Sequence, residues 1–315
     1  DWVISVNGER LFLKGANLLP TSDDLARAGA ARARSDIEAA VDLGLDALRV
    51  HGHVAHRHTY DAADELGVLL LQDFPLQGRY ARSVRSQAVL QARALVDALG
   101  HHPSIVSWTA HDDPTLSSAR PAERGEGGPR RGESANGTRL RAALAQQLPT
   151  WNKSVLDRWV KRSFERHDPT RTAVAHSGVV PHLPQLDGTD SHLSFGWREG
   201  DADELAAFAR RLPRMVRFVS QFGAESVPSS HEFFDEQLAT STWPNLDWDR
   251  IAAANGYDID TFERLFPPAD FATFEEWRDT TQYYQSLVLK VQIELLRTLK
   301  YRPTGGFCFS SLADP

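Results

Sequence analysis

The sequence predicts an α/β chain folded as a (β/α)8 barrel, and three observations carry that prediction. Short apolar runs alternate with longer segments of helical period, the pattern of repeated β–α units. Eight such runs can be placed, mostly with a helix between them. The length, 315 residues with no internal linker, suits one large barrel better than two separate units.

The elements follow in order. "RLFLKGAN" (10–17) reads as the first strand, and "RSDIEAAVDLG" (34–44) as the helix after it. "DALRVHG" (46–52) is the second strand, and Gly67 ends the helix in "YDAADELG" (60–67). "VLLLQDF" (68–74) has the continuous apolar run of a strand buried on both faces. "SQAVLQARALVDALG" (86–100) is helical, and "SIVSWTAH" (104–111) is the fourth strand. A long polar loop, rich in Gly, Pro, Arg and Glu, is expected over 117–137. A helix over 150–169 leads to strands at 172–178, 191–197 and 215–223. An insertion with helical character (241–271) and a long helix (280–300) separate the seventh strand from the eighth, 305–314.

Composition removes several function classes. Charged residues at 24% and apolar ones at 41% are ordinary for a globular chain. A net charge of −7 argues against a nucleic-acid surface, which needs a concentrated basic face. No apolar run is long enough to span a membrane, and no signal peptide is read at the N-terminus. The single cysteine, Cys308, excludes an internal disulfide and reads as a buried small hydrophobe. Localisation is not legible.

Active sites of this fold lie at the C-terminal ends of the strands. The polar residues there are Asn17, His51, His53, Asp73, His111, Asp112, Asp113, His176, His192, Trp197, Gln221, Glu225 and Asp314.

With these ends laid out, the chain resembles the barrel domain of glycoside hydrolase family 2, the β-mannosidase and β-galactosidase group. "NGERLFLKGANLLP", "DALRVHG", "AADELGVLLLQDFPL", "HPSIVSW", "SHLSFGW" and "FVSQFGAESVPS" carry the likeness, in order, along nearly the whole chain. The resemblance implies a retaining glycosidase, with an acid to protonate the leaving oxygen and a carboxylate ~5–5.5 Å away to attack the anomeric carbon. It implies a carbohydrate ligand, no cofactor and no metal. It also implies that residues 1–315 are one barrel excised from the centre of a longer chain, whose partners are its own flanking β-sandwich domains.

Two positions depart from that family. After "HPSI..W" the family reads Asn-Glu, with Glu as acid/base; here Asp112-Asp113 stand. Aspartate can still donate, from a side chain one methylene shorter. On the seventh strand, where the family carries its nucleophilic Glu in Ser-Glu, this chain has Ser220-Gln221. An uncharged amide is a poor nucleophile. Glu225, four residues on, either folds back over the site through a bend at Gly223 or sits at the rim in a salt bridge; extended chain alone would put it ~13 Å away.

Catalytic candidates are therefore Asp113, Gln221 and Glu225. Substrate-binding candidates are Asp112, His111, Trp197 as a stacking platform, His192, Arg49, His51, Asp73 and Asn17. Arg49 and Asp73 read equally well as a buried pair bracing the barrel. Asp112, beside Asp113, is expected to raise one pKa of the pair. These residues point to β-glycoside hydrolysis at a weakened or altered site, or to a catalytically silent glycan-binding relative. A third reading, a metal-dependent amidohydrolase, rests on "HGHVAHRH" together with His176, His192 and Asp314.

Overall fold

The computed structural model describes residues 2–20, 29–115, 148–179, 190–229 and 232–312. A short hairpin comes first, β1 (Ile4–Val6) against β2 (Glu9–Leu11). Its turn, Asn7-Gly8, has φ of 52° and 85°, the double left-handed geometry that two-residue hairpins need. Then follow β3 (Leu13–Leu18), α1 (Ala30–Asp42), β4 (Ala47–Val50), α2 (Arg57–Leu66), β5 (Leu69–Asp73) and α3 (Arg85–Leu99). Next are β6 (Ile105–Thr109), α4 (Asp157–His167), β7 (Thr172–Val174) and β8 (Ser191–His192). A π-helical turn, Asn152–Leu156, leads into α4. The last part runs α5 (Glu204–Arg211), β9 (Phe218–Gln221), α6 (Glu232–Thr240), α7 (Trp248–Asn255), α8 (Ile259–Leu265), α9 (Phe274–Thr298) and β10 (Gly306–Phe309).

β3 to β10 are the eight strands expected from the sequence. They form one parallel sheet in the order β7-β6-β5-β4-β3-β10-β9-β8, with the last strand returning to pair with the first. This is a (β/α)8 barrel, curled with its ladder open between β7 and β8 among the described residues. Ser177 and His192, 3.3 Å apart, reach across that opening.

Strand alternation sorts the residues. Leu13, Ala47, Leu71, Phe218 and Cys308 form an apolar layer inside the barrel. Two residues further along three of these strands stand Arg49, Asp73 and Ser220, and four beyond Leu13 stands Asn17, a polar layer at the C-terminal end. Intervening residues such as Leu48, Leu70 and Trp108 face outward, in one core with Ile37, Ala63, Ala92 and Phe164 of α1 to α4. Val219 and Phe307 do the same with Leu205 of α5 and Leu296 of α9.

Gly15 belongs to the lower interior. A Cβ there would lie 2.8 Å from Cys308 Sγ and 2.9 Å from the Ala47 carbonyl. Gly15→Ala is therefore expected to destabilise the barrel by about 1–3 kcal/mol through overpacking, read as a lower denaturation midpoint. Cys308 is fully buried and burial pushes its thiol up to about 12, in keeping with a packing residue.

The insertion after the seventh strand builds a core of its own from Trp197, Phe234, Leu246, Ile251, Phe262, Phe274 and Trp277, with Trp243 and Trp248 packed against it. The polar loop expected over 117–137 lies outside the described residues, as does Asp314. No helix among the described residues is long and apolar enough to cross a membrane.

Candidate active site

The site starts from one buried cation. Arg49, on β4, is 2% exposed in its side chain and reaches two carboxylates. Its Nη2 lies 2.8 Å from Asp73 Oδ2 on β5 and 2.6 Å from Asp112 Oδ1 beyond β6. Two adjacent parallel strands and the end of a third are thus tied at one height. The pair expected to brace the barrel is present, and Asp112 is its third member.

Asp112 is saturated with partners. Besides Arg49 it meets His51 Nε2 at 2.9 Å and accepts from the Gln77 amide at 3.2 Å. Burial opposes its charge, but Arg49 and His51 outweigh burial and hold the carboxyl well below the usual range. The pairing expected between the two neighbouring aspartates is therefore split. Asp112 is an ionised anchor, 1% exposed, and Asp113, 15% exposed, is the carboxylate that a ligand can reach. Burial pushes the Asp73 carboxyl up.

Asp113 has φ of 41°, in the left-handed region uncommon for a side-chain-bearing residue. Its Oδ2 lies 3.1 Å from His192 Nδ1 on β8. His192 Nε2 is 3.3 Å from Ser177 Oγ and 3.4 Å from Arg49 Nη1. Burial alone would lower the imidazole pKa, but Asp113 and then Asp112 raise it.

Ser177, Ser220 and Asp190 complete the floor; both hydroxyls donate to Asp190 Oδ2. Asn17 sends its amide to the Ser220 carbonyl at 3.0 Å, the Phe309 carbonyl at 3.3 Å and Ser310 Oγ at 3.2 Å. It thus links β3 with β9 and β10. Ser177, Asp190, Ser220 and Gln77 escape the sequence reading. The first two flank the gap between β7 and β8, and only their nearness to "AHSG" and "DSH" marks them.

Gln221 closes β9, opposite His192 in register, with its carbonyl accepting from the Leu193 N–H at 2.9 Å. Its side chain is half-buried. The backbone does bend at Gly223, φ 134°, yet Glu225 turns to the insertion. One oxygen meets Arg198 at 3.1 Å and the other accepts from the Asp258 N–H at 2.8 Å. Burial raises its pKa, against the pull of that N–H and of Arg198.

Two expected sugar contacts are placed elsewhere. Trp197 is 3% exposed, its ring edge-to-face with Phe262 at 4.9 Å, because the insertion uses it as core. His111 is fully buried, and its Nε2 donates to the Gly78 carbonyl at 2.8 Å, fixing the loop after β5.

Of the histidines of the amidohydrolase reading, His51 and His192 both approach Asp112, whereas His53 bonds the His51 carbonyl and His176 pairs with Asp157. Ligand-type atoms of His51, Asp73 and Asp112 do lie within 4.8 Å of one another, as do those of Asp112, Asp113 and His192. In the first group the guanidinium of Arg49 already supplies the cation, reaching both oxygens of Asp73 at 3.3 and 2.8 Å.

No family model matches the chain. Bovine β-mannosidase is 32% identical over 258 residues, spanning 73% of this chain and 25% of that protein. β-Mannosidase A of Aspergillus oryzae is 28% identical over 340 residues, spanning 94% of this chain and 35% of that protein. In structure, the β-D-mannosidase of Dictyoglomus thermophilum superposes with a TM-score of 0.72 at 21% identity, covering 98% of this chain and 36% of that one. The β-glucuronidase of Parabacteroides merdae gives 0.59 at 15% identity, covering 97% and 32%. Both structures share the fold. The chain spans a quarter to about a third of the curated relatives it matches. From these relatives and its barrel, the chain belongs to glycoside hydrolase family 2, in its β-mannosidase-like group.

Proposed function

We propose that the mouth of this barrel binds a β-linked glycoside, with β-mannosides as the leading class, and hydrolyses it slowly through an altered retaining-type site. The observation that carries the reading is the pairing of one reachable carboxylate, Asp113, with His192, across from Gln221 at the end of β9. Asp113 acts as the proton donor to the leaving oxygen. Arg49 and Asp112 hold the floor on which it stands. Gln221 occupies the place of the attacking carboxylate without its charge. Parts of the parent protein beyond this chain, β-sandwich domains among them, complete the sugar site.

The test is turnover of activated aryl β-mannosides, β-galactosides, β-glucosides and β-glucuronides. Weak turnover, greatest on the β-mannoside and lowered at least ~10²-fold by Asp113→Asn, is the expected result. Glu225→Gln is expected to leave that turnover within about twofold, because its carboxylate serves Arg198 and Asp258. If Glu225→Gln abolishes turnover instead, Glu225 is the nucleophile. The amide at Gln221 also favours a second reading, a barrel that binds glycans without cleaving them. Saturable binding of a β-mannoside with no turnover would establish it.

A further inference from the structure

Asp113 and His192 meet in a space left by an absent side chain. Gly178, just after β7, has φ of 74°, and a Cβ there would stand 2.5 Å from both Asp113 Oδ1 and His192 Nδ1. Any other residue at 178 would drive the two apart. Asp113 reaches the same spot only through its own left-handed backbone. Two backbone positions that side chains disfavour are thus held together, and their joint product is the 3.1 Å contact.

The other edge of the imidazole meets two groups. Ser177 gives its hydroxyl proton to Asp190, so a lone pair of Ser177 Oγ faces His192 Nε2. Nδ1 faces the Asp113 carboxylate, and Nε2 lies between the Ser177 oxygen and the Arg49 guanidinium, the one donor turned toward the ring. The charged groups around it are Asp113 and Asp112 beyond β6, Arg49 on β4, and Asp190 ahead of β8, reached through Ser177. Three anions against one guanidinium favour the charged ring.

We infer that His192 is the proton reservoir of Asp113, so that the pair and not the lone carboxylate is the acid/base unit, with Gly178 as the positioning residue that lets it form. This rests on the glycosidase reading above and deepens it. An unpaired aspartate gives up its proton near pH ~3.9 and would arrive at neutral pH with nothing to donate. The pair keeps one proton into the histidine range. The ion pair and its neutral tautomer differ by moving the Nδ1 proton onto Asp113 Oδ2. In the neutral tautomer Asp113 gives that proton to the glycosidic oxygen as the C1–O bond breaks and its electron pair goes to oxygen. The sugar is then taken by water, whose released proton reloads the pair. Glycoside and water become sugar and alcohol, and the pair ends as it began.

The experiment uses the whole chain and aryl β-mannosides of graded leaving-group acidity. His192→Gln keeps a hydrogen bond to Asp113 but stores no proton. The alkaline limb of kcat/KM is expected to fall by about one pH unit or more. Turnover is expected to drop ~10²-fold with a poor leaving group and little with dinitrophenol, which needs no acid. In parallel, the ring nitrogens of labelled histidine are followed by NMR. Asp113→Asn and, separately, Gly178→Ala are each expected to lower the titration midpoint of His192. An unmoved alkaline limb in His192→Gln, or an unmoved midpoint in Asp113→Asn, overturns the reservoir. Absence of turnover both in wild type and in Gln221→Glu overturns the glycosidase reading, and the catalytic role with it.

Discussion

Gln221→Glu is expected to raise kcat/KM on aryl β-mannosides by on the order of 10³-fold, about 4 kcal/mol of barrier at 1.36 kcal/mol per tenfold. Glutamate and glutamine have the same shape, so the new carboxylate takes the half-buried place of the amide at the end of β9. That strand is already fixed, since Ser220 donates to Asp190 and its carbonyl accepts from Asn17. Only charge and nucleophilicity change, which are what attack at the anomeric carbon requires. The product keeps the β configuration if Asp113 and the new carboxylate lie ~5–5.5 Å apart. A slow fluorinated mannoside then labels the variant at position 221, detected by peptide mass. A folded variant with no gain in turnover and no label would place the reacting carbon elsewhere.

The fold was legible in the sequence because each barrel strand shows itself as a short apolar run beside a periodic helix. All eight expected strands are present, each shorter than its run. The phrases that carried the resemblance also have structural work to do. His102 of "HPSI" pairs with Asp64 of "AADELG" at 2.6 Å, and the other oxygen of Asp64 accepts from the Ser104 N–H at 2.9 Å. Two stretches distant in sequence are thereby one joint between α2 and the start of β6. Such a joint persists whether or not the mouth is active. The phrases therefore speak for the scaffold more directly than for the chemistry.

The site was less legible. Arg49, His51, Asp73, Asp112, Asp113 and His192 do come together. Adjacency of Asp112 and Asp113 suggested a coupled carboxylate pair, because sequence shows neighbours along the chain but not across strands. Arg49, 63 positions away, is what separates their roles. Trp197 looked like a sugar platform because strand position cannot tell a ring at the mouth from one taken into an insertion's core. Gly178 carried no signal, since only the paths of β6 and β8 reveal what a Cβ would meet.

The largest stability effect is expected at Arg49. Arg49→Ala leaves Asp73 and Asp112 facing each other inside the barrel, 0% and 1% exposed, with their shared cation gone. Breaking a buried ion pair from one side costs about 3–5 kcal/mol, because the remaining charge has no water to return to. Chemical denaturation at neutral pH should show that loss. Arg49→Lys should recover only part of it, because an ammonium cannot reach both carboxylates and the His192 side with a planar fork. Asp112 also gives the effect a pH signature. Its folded pKa is depressed, so its contribution is present above the unfolded value of ~3.9 and is lost as pH falls through the lower folded value. Removing Arg49 removes the main cause of that depression. The wild-type chain should therefore lose stability on acidification below pH ~4, and the difference between it and Arg49→Ala should shrink there. A gap that stays constant as the pH falls well below that value would mean that Arg49 acts by filling space and not by charge.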